Sequence, residues 1–289
     1  MIPKKVSAVL TGTEVPVGDM NVHQAFPSYT DGVRFIDPFI LLHHAKITIS
    51  PNVDLRHAGV GPHPHRGFSP VSFIFAGGVH HRDSMGNDST IYAGGVQWMN
   101  SGSGVIHSER PPLDIFKLGG EQELIQMWVN TPRGHKADTP AYFPLSKDDT
   151  PKHTSNDGLV EMYVQAGNIL KVKGPIPTPS PVNSSTIYLK AGGEILLPIE
   201  PGFNAFIYIL SGEVEVSGTL VGERLAATFE SEGDGISLKA TADSRALFMC
   251  GKPLKEPVVA HGNFVMNSEA EIKQAWLDFQ SGKMGELEW

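Results

Sequence analysis

The chain has 289 residues, with 23 basic against 31 acidic side chains and a formal net charge of −8. At ~150 residues per domain, that length holds two domains or one large one. The acidic balance, without a Lys/Arg cluster, argues against direct nucleic-acid binding through a basic surface, and no window approaches the ~20 apolar residues of a membrane span. The opening Met-Ile-Pro-Lys-Lys-Val-Ser lacks the apolar stretch of a secretory signal, and a cytoplasmic protein is expected.

Glycine (31) and proline (22) together exceed their average usage of roughly 12%. Hydrophobic residues are spread along the whole length, so a turn-rich fold of short strands explains the excess better than disorder. In chain order, strand-like runs fall at Val71–Phe75, Leu124–Val129, Leu159–Val164, Ser185–Leu189, Ala205–Leu210, Glu213–Val216 and Arg245–Met249. Their spacing predicts an all-β antiparallel barrel or sandwich. Between Thr131 and Ser184 the chain is rich in Pro, Lys, Asp, Ser and Thr, which reads as a connector between two β units.

A weak repeat points the same way: Phe75-Ala-Gly-Gly-Val-His and Ile209-Leu-Ser-Gly-Glu-Val each run a strand into a glycine turn and a second strand. The sole cysteine, Cys250, lies in the apolar run Ala246-Leu-Phe-Met-Cys and reads as a buried hydrophobe. One helix is predicted near the end. Ser268-x-x-Glu271 is a capping box, Ile272, Ala275, Trp276 and Phe279 form an apolar stripe, and Gly282 stops it.

The twelve histidines carry the functional signal. His63-Pro64-His65 places two imidazoles at i and i+2, on one face of an extended chain and roughly 6–7 Å apart. His107-Ser108-Glu109 repeats the arrangement with a carboxylate in the second place. On neighbouring strands facing one interior, the two pairs would form a three-histidine, one-carboxylate metal site. On spacing alone, a solvated strand face remains open for either pair. His80 and His81 read as exposed on a strand, His43 and His44 as surface or loop residues, and Asp83-Ser-Met-Gly as a turn.

The segments Gly61-Pro-His-Pro-His-Arg-Gly-Phe68, His81-Arg-Asp-Ser-Met-Gly-Asn87, Gln97-Trp-Met99 and Gly102-Ser-Gly-Val-Ile-His-Ser-Glu109 together resemble the pirin family of the cupin superfamily. Asp37-Pro-Phe-Ile-Leu-Leu42 resembles the family's N-terminal signature. Glu256-Pro-Val-Val and Gly262-Asn-Phe-Val-Met-Asn267 resemble its C-terminal segment. The resemblance implies a bicupin, two tandem antiparallel jelly-roll barrels with a short C-terminal helix. Residues 1–134 would form a metal-binding barrel, and residues 135–289 a metal-free barrel with the linker and the helix. It implies His63, His65, His107 and Glu109 as ligands, with iron the usual metal and flavonol cleavage by dioxygen a known activity. Three departures stand out. Ser69 falls in the stretch where cupins commonly carry a glutamate, His43-His44 follows Leu-Leu where pirins often have aspartate, and the second half has no His-x-His.

A donor set of imidazole and carboxylate without thiolate suits Fe(II), Mn, Ni, Cu or Zn, and Fe(II) is the expectation here. Glu109 is the expected general base as well as a ligand, acting on a small aromatic substrate that meets O2 at the metal. Asp83, Gln97 and Gln126 are candidates to orient the ligand imidazoles from behind. Ser69, Phe75, Trp98 and Met127 are expected to line the substrate pocket. The expected activity is that of a quercetin 2,3-dioxygenase-type oxidoreductase. The alternative is an iron-binding, redox-sensing regulatory protein that acts through a protein partner without turnover.

Overall fold

In the computed structural model, residues 1–18, 20–28, 30–51, 53–54 and 58–288 are described. They are mostly strand; the α-helices among them are Leu113–Leu118 and Glu269–Gln280. No helix among the described residues is long and apolar enough to cross a membrane. The strand-like runs of the sequence all coincide with strands, which are usually longer by a few residues; only Leu159, at the start of its run, lies just outside, before Val160–Ala166.

The chain forms two compact units, each drawn from separated stretches. One comprises Met1–Thr13, His23–Ile40 and Asp148–Leu254; the other comprises Glu14–Val22, Leu41–Lys147 and Lys255–Trp289. The units therefore differ from contiguous halves cut at 134/135. In particular, the C-terminal helix belongs with the stretch that carries the histidine pairs. Its stripe residues Ile272 and Ala275 share a small core with Phe264, Met266 and Met284, against which Ile106, Trp276 and Phe279 pack. Ser268 caps it by accepting from the Glu271 amide, and the Glu271 carboxylate in turn accepts from the Asn267 amide at 2.9 Å.

Both units follow one plan. In the first, the four-stranded sheet runs in the order Glu194–Pro198, Gly235–Ala240, Glu213–Val216, Thr219–Gly222. In the second, the order is Val60–His65, Val105–Arg110, Gly78–Asp83, Asp88–Tyr92. Each is accompanied by a seven-stranded sheet. The faint sequence repeat marks the same corner in each: strand Phe68–Ala76 turns at Gly77 (φ +68°), and strand Asn204–Ser211 turns at Gly212 (φ +83°). The left-handed backbone there suits glycine.

The first unit fills its interior with aliphatic and aromatic side chains, among them Leu197, Ile207, Val214, Ile236, Leu238 and Phe248. Cys250 lies in this core, and burial pushes its thiol up to about 12. The second unit buries His65, His81 and His107.

Candidate metal centre

Within the second unit, Val60–His65 pairs antiparallel with Val105–Arg110, setting His107 opposite His63 and Val105 opposite His65. Period-2 alternation puts His63 and His65 on one face, and the register brings His107 beside them. Pro64 between the pair fixes its own φ and keeps His63 extended. The three rings stand 4.4 to 4.8 Å apart by centroid. The His63 Nε2 lies 3.0 Å from the His65 Nε2 and 2.9 Å from the His107 Nε2.

These atoms have the chemistry of a cation site. The His63 Nδ1 donates to the Gly61 carbonyl at 2.8 Å, which leaves its Nε2 as a bare lone pair. Burial holds His63 below its ordinary imidazole range, against the pull of the Gly61 carbonyl and the Glu109 charge. Burial, reinforced by its histidine neighbours, holds His65 and His107 well below that range. Three imidazoles whose ring nitrogens lie within 4.8 Å of one another can close on a single cation. The donor set fits a borderline metal ion.

Glu109 stands apart from that trio. A register irregularity between His107 and Glu109 shifts its pairing to Val60. One of its carboxylate oxygens accepts a short hydrogen bond from the Ser72 hydroxyl, and the other accepts from the Gln126 Nε2 at 2.7 Å. Among the described residues, the group arranged to hold a metal is His63, His65 and His107.

Of the candidates behind the ligands, Gln126 reaches Glu109, and Gln97 donates to the Val79 carbonyl at 2.9 Å. Asp83 is a turn residue and more. Its Oδ1 accepts from the Met85 and Asn87 amides at 2.9 and 3.0 Å, and its Oδ2 accepts from the Asn87 Nδ2 and the His81 Nε2 at 2.8 and 3.0 Å. Burial alone would raise its pKa; these donors outweigh it and leave the carboxyl below its ordinary range.

His81 corrects the expectation of strand exposure: it is 1% exposed. Its Nδ1 faces the His107 Nδ1 at 3.5 Å, and its ring stacks on Tyr142 at 3.9 Å and 5°. The sequence held a clue, since His81 and Asp83 share a face by period-2 counting. His80, on the other face, pairs with Asp88 at 2.7 Å.

The expected pocket residues are one position out of step. Across the large sheet, Gln126, Ser72 and Gln97 form one row, and Met127, Val71 and Trp98 form the adjacent row. Adjacent rows point to opposite faces. Ser69, Phe75, Trp98 and Met127 therefore lie buried on the face away from the histidines, where the Ser69 hydroxyl and the Trp98 indole both donate to the Asn100 Oδ1. On the histidine side, Trp128 packs on Phe68 at 4.3 Å and on His65 at 5.7 Å.

The pocket beside Glu109 encloses about 80 Å³. Its walls are Val17, Met20, Val22, Ala45, Gly59, Val60, Val79 and Leu124, with His43, Gln122, Gln126 and Glu109 as the polar groups. His43 and His44 lie within strand Phe39–Ile49 rather than in a loop. His43 faces this pocket, and burial pushes its imidazole down to about 4. His44 is buried with its Nε2 at 3.3 Å from the Glu123 carboxylate.

Two barrels of shared strand order, one with a three-histidine cluster, define a bicupin that has, among the described residues, one metal-type centre. Residues 19–129 match the sequence profile of Pirin, and residues 185–285 match that of the Pirin C-terminal cupin domain. Pirin-1 of Arabidopsis thaliana is 37% identical over 258 residues, covering 87% of this chain and 85% of that protein. The chain belongs to the pirin family. A Pseudomonas aeruginosa protein provisionally named quercetin 2,3-dioxygenase is 36% identical over 267 residues, 92% of this chain and 93% of that one. The crystal structure of quercetin 2,3-dioxygenase from Acinetobacter baumannii superposes with a TM-score of 0.91 at 34% identity, covering 99% of this chain and all of that one.

Proposed function

We propose that this protein is a metal-dependent dioxygenase that cleaves quercetin-like flavonols with O2. In this reading His63, His65, His107 and Glu109 hold the metal, Fe(II), in a cytoplasmic enzyme. The observation that carries the reading is the convergence of three imidazoles, with Glu109, two residues along the strand from His107, lining a mainly apolar pocket. The names of the Pseudomonas and Acinetobacter relatives support the substrate class.

When bound, the ion supplies Lewis-acid and one-electron chemistry toward a substrate oxygen and dioxygen. The chain's own residues do the rest. Val17, Val22, Val60, Val79 and Leu124 give a planar aromatic ring an apolar slot and exclude water from it. Glu109 takes the proton of the substrate hydroxyl. Ser72 and Gln126 hold its two oxygens by hydrogen bonds, and Glu109 would join the three histidines in holding the metal.

Oxygen uptake on adding quercetin to protein reconstituted anaerobically with Fe(II) tests the proposal. Turnover is expected in the wild type and a fall of roughly 10²-fold or more in Glu109→Gln. Stoichiometric iron without uptake overturns it and favours an iron-binding regulator that works through a protein partner.

A further inference from the structure

Each ligand imidazole must present an unprotonated Nε2 to a metal, so its one proton must sit on Nδ1. For His63 the backbone enforces this through the Gly61 carbonyl. For His107 no carbonyl does so; its Nδ1 faces a second imidazole, which can be either donor or acceptor. The ambiguity is resolved one step further back.

Asp83 has only accepting oxygens to offer, and every other group on it is a donor: the Met85 amide, the Asn87 amide and the Asn87 side-chain nitrogen. The His81 Nε2, at 3.0 Å, must therefore carry a proton. If the His107 Nε2 is to be free for the metal, the His107 proton sits on Nδ1, and the His81 Nδ1 that faces it must be the acceptor. Stacking on Tyr142, whose hydroxyl lies 2.7 Å from the Ser89 hydroxyl, holds the His81 ring in the plane this requires.

We infer that His81 is a positioning residue that relays the direction of Asp83's hydrogen bonding to His107, fixing the tautomer in which His107 binds metal. The inference rests on the metal reading of the three-histidine cluster. It adds a directional device: the 3.5 Å link between the two imidazoles is long, and the orientation of the proton in it, rather than its strength, is what matters.

The directionality gives an unusual expectation for the near-isosteric Asp83→Asn. The new carbonyl oxygen stays on the two backbone amides, so the new NH2 replaces Oδ2. Asn87 can flip its own amide to accept. His81 can accept only by moving its proton to Nδ1, where it meets the His107 Nδ1–H and drives that proton to the metal-binding Nε2.

The test titrates the purified full chain with Co(II) alone at fixed pH, in competition with a chromophoric chelator, and records the visible ligand-field spectrum. Asp83→Asn is expected to weaken Co(II) binding roughly 10–100-fold and to alter the spectrum. In a His81→Asn background the asparagine carbonyl still accepts from His107, so binding should stay within a few-fold of wild type, and adding Asp83→Asn should cost nothing further. His81→Leu, which offers no acceptor, should lose the same 10–100-fold and serves as the second variant if Asp83→Asn does not fold. Equal cost of Asp83→Asn in both backgrounds would mean a turn-stabilising role and overturn the relay. So would His81→Leu binding as tightly as His81→Asn. Failure of the wild type to bind Co(II) or Fe(II) would instead count against the metal reading itself.

Discussion

His43 enters the fold uncharged at neutral pH, because burial in the pocket wall pushes its imidazole down to about 4. In the unfolded chain it titrates near 6.5, so between those values the unfolded state binds the extra proton. Stability from this residue is complete above about pH 6.5 and is lost as pH falls toward 4. His43→Leu should therefore flatten the acid side of the stability profile, by roughly 2 kcal/mol between pH 7 and 4.5 as a ceiling. Urea midpoints of both proteins at those two pH values check it; parallel profiles would reject the assignment. The sequence made the His-x-His and His-x-Glu pairs legible because their alternation and glycine-flanked approach are local. His43 and His81 were not legible as interior groups, since a histidine reads the same on either face of a strand until its register is known. The pocket residues Ser69, Phe75, Trp98 and Met127 failed for the same reason: one step along a strand exchanges core for cavity.

At the level of single elements, the short-range signals held best. The capped C-terminal helix and the two glycine corners were all visible in the sequence, and each depends on a few adjacent residues. At Gly77 a side chain would meet the Glu121 carbonyl, and at Gly212 it would meet Asp243 and Ser244, both with positive φ. Alanine at either position should cost about 2–3 kcal/mol in chemical denaturation, more than the ~1 kcal/mol of a typical substitution. The helix's destination was not legible, because its anchor is a long-range pair. Asp278, held below the usual carboxylate range by Lys283, Arg66 and Gln274, receives the Arg66 guanidinium at 2.6 Å. Asp278→Ala leaves Arg66, 15% exposed, without its carboxylate and should cost roughly 2–4 kcal/mol. Thermal melts of Asp278→Ala and wild type give the comparison, and a shift under 1 °C would show the pair to be idle.

For the molecule as a whole, the duplicated plan carries two interiors of opposite character. One is apolar; the other gathers the imidazoles. A metal that binds only the folded second unit should protect that unit alone. Hydrogen exchange with and without Co(II) should show slower exchange in residues 60–110 and no change in 182–251. Uniform protection across both stretches would contradict a metal confined to one barrel. That the chain makes two β units was legible in its weak repeat, whereas the stretch read as a connector supplies strands such as Ala141–Leu145 and Val160–Ala166 to the two large sheets. The true membership of the units was not legible, since each unit is closed by chain from far away in sequence. This interleaving has a consequence during synthesis. Arg66 leaves the ribosome 212 residues before its partner Asp278, and Lys136 leaves it 129 residues before Val265, whose carbonyl its ammonium reaches. The nascent N-terminal half can lay down strands and gather its histidines, but the clamp beside His65 closes only when the last helix emerges. The surroundings of His65 are thereby finished by chain made long after the histidine itself.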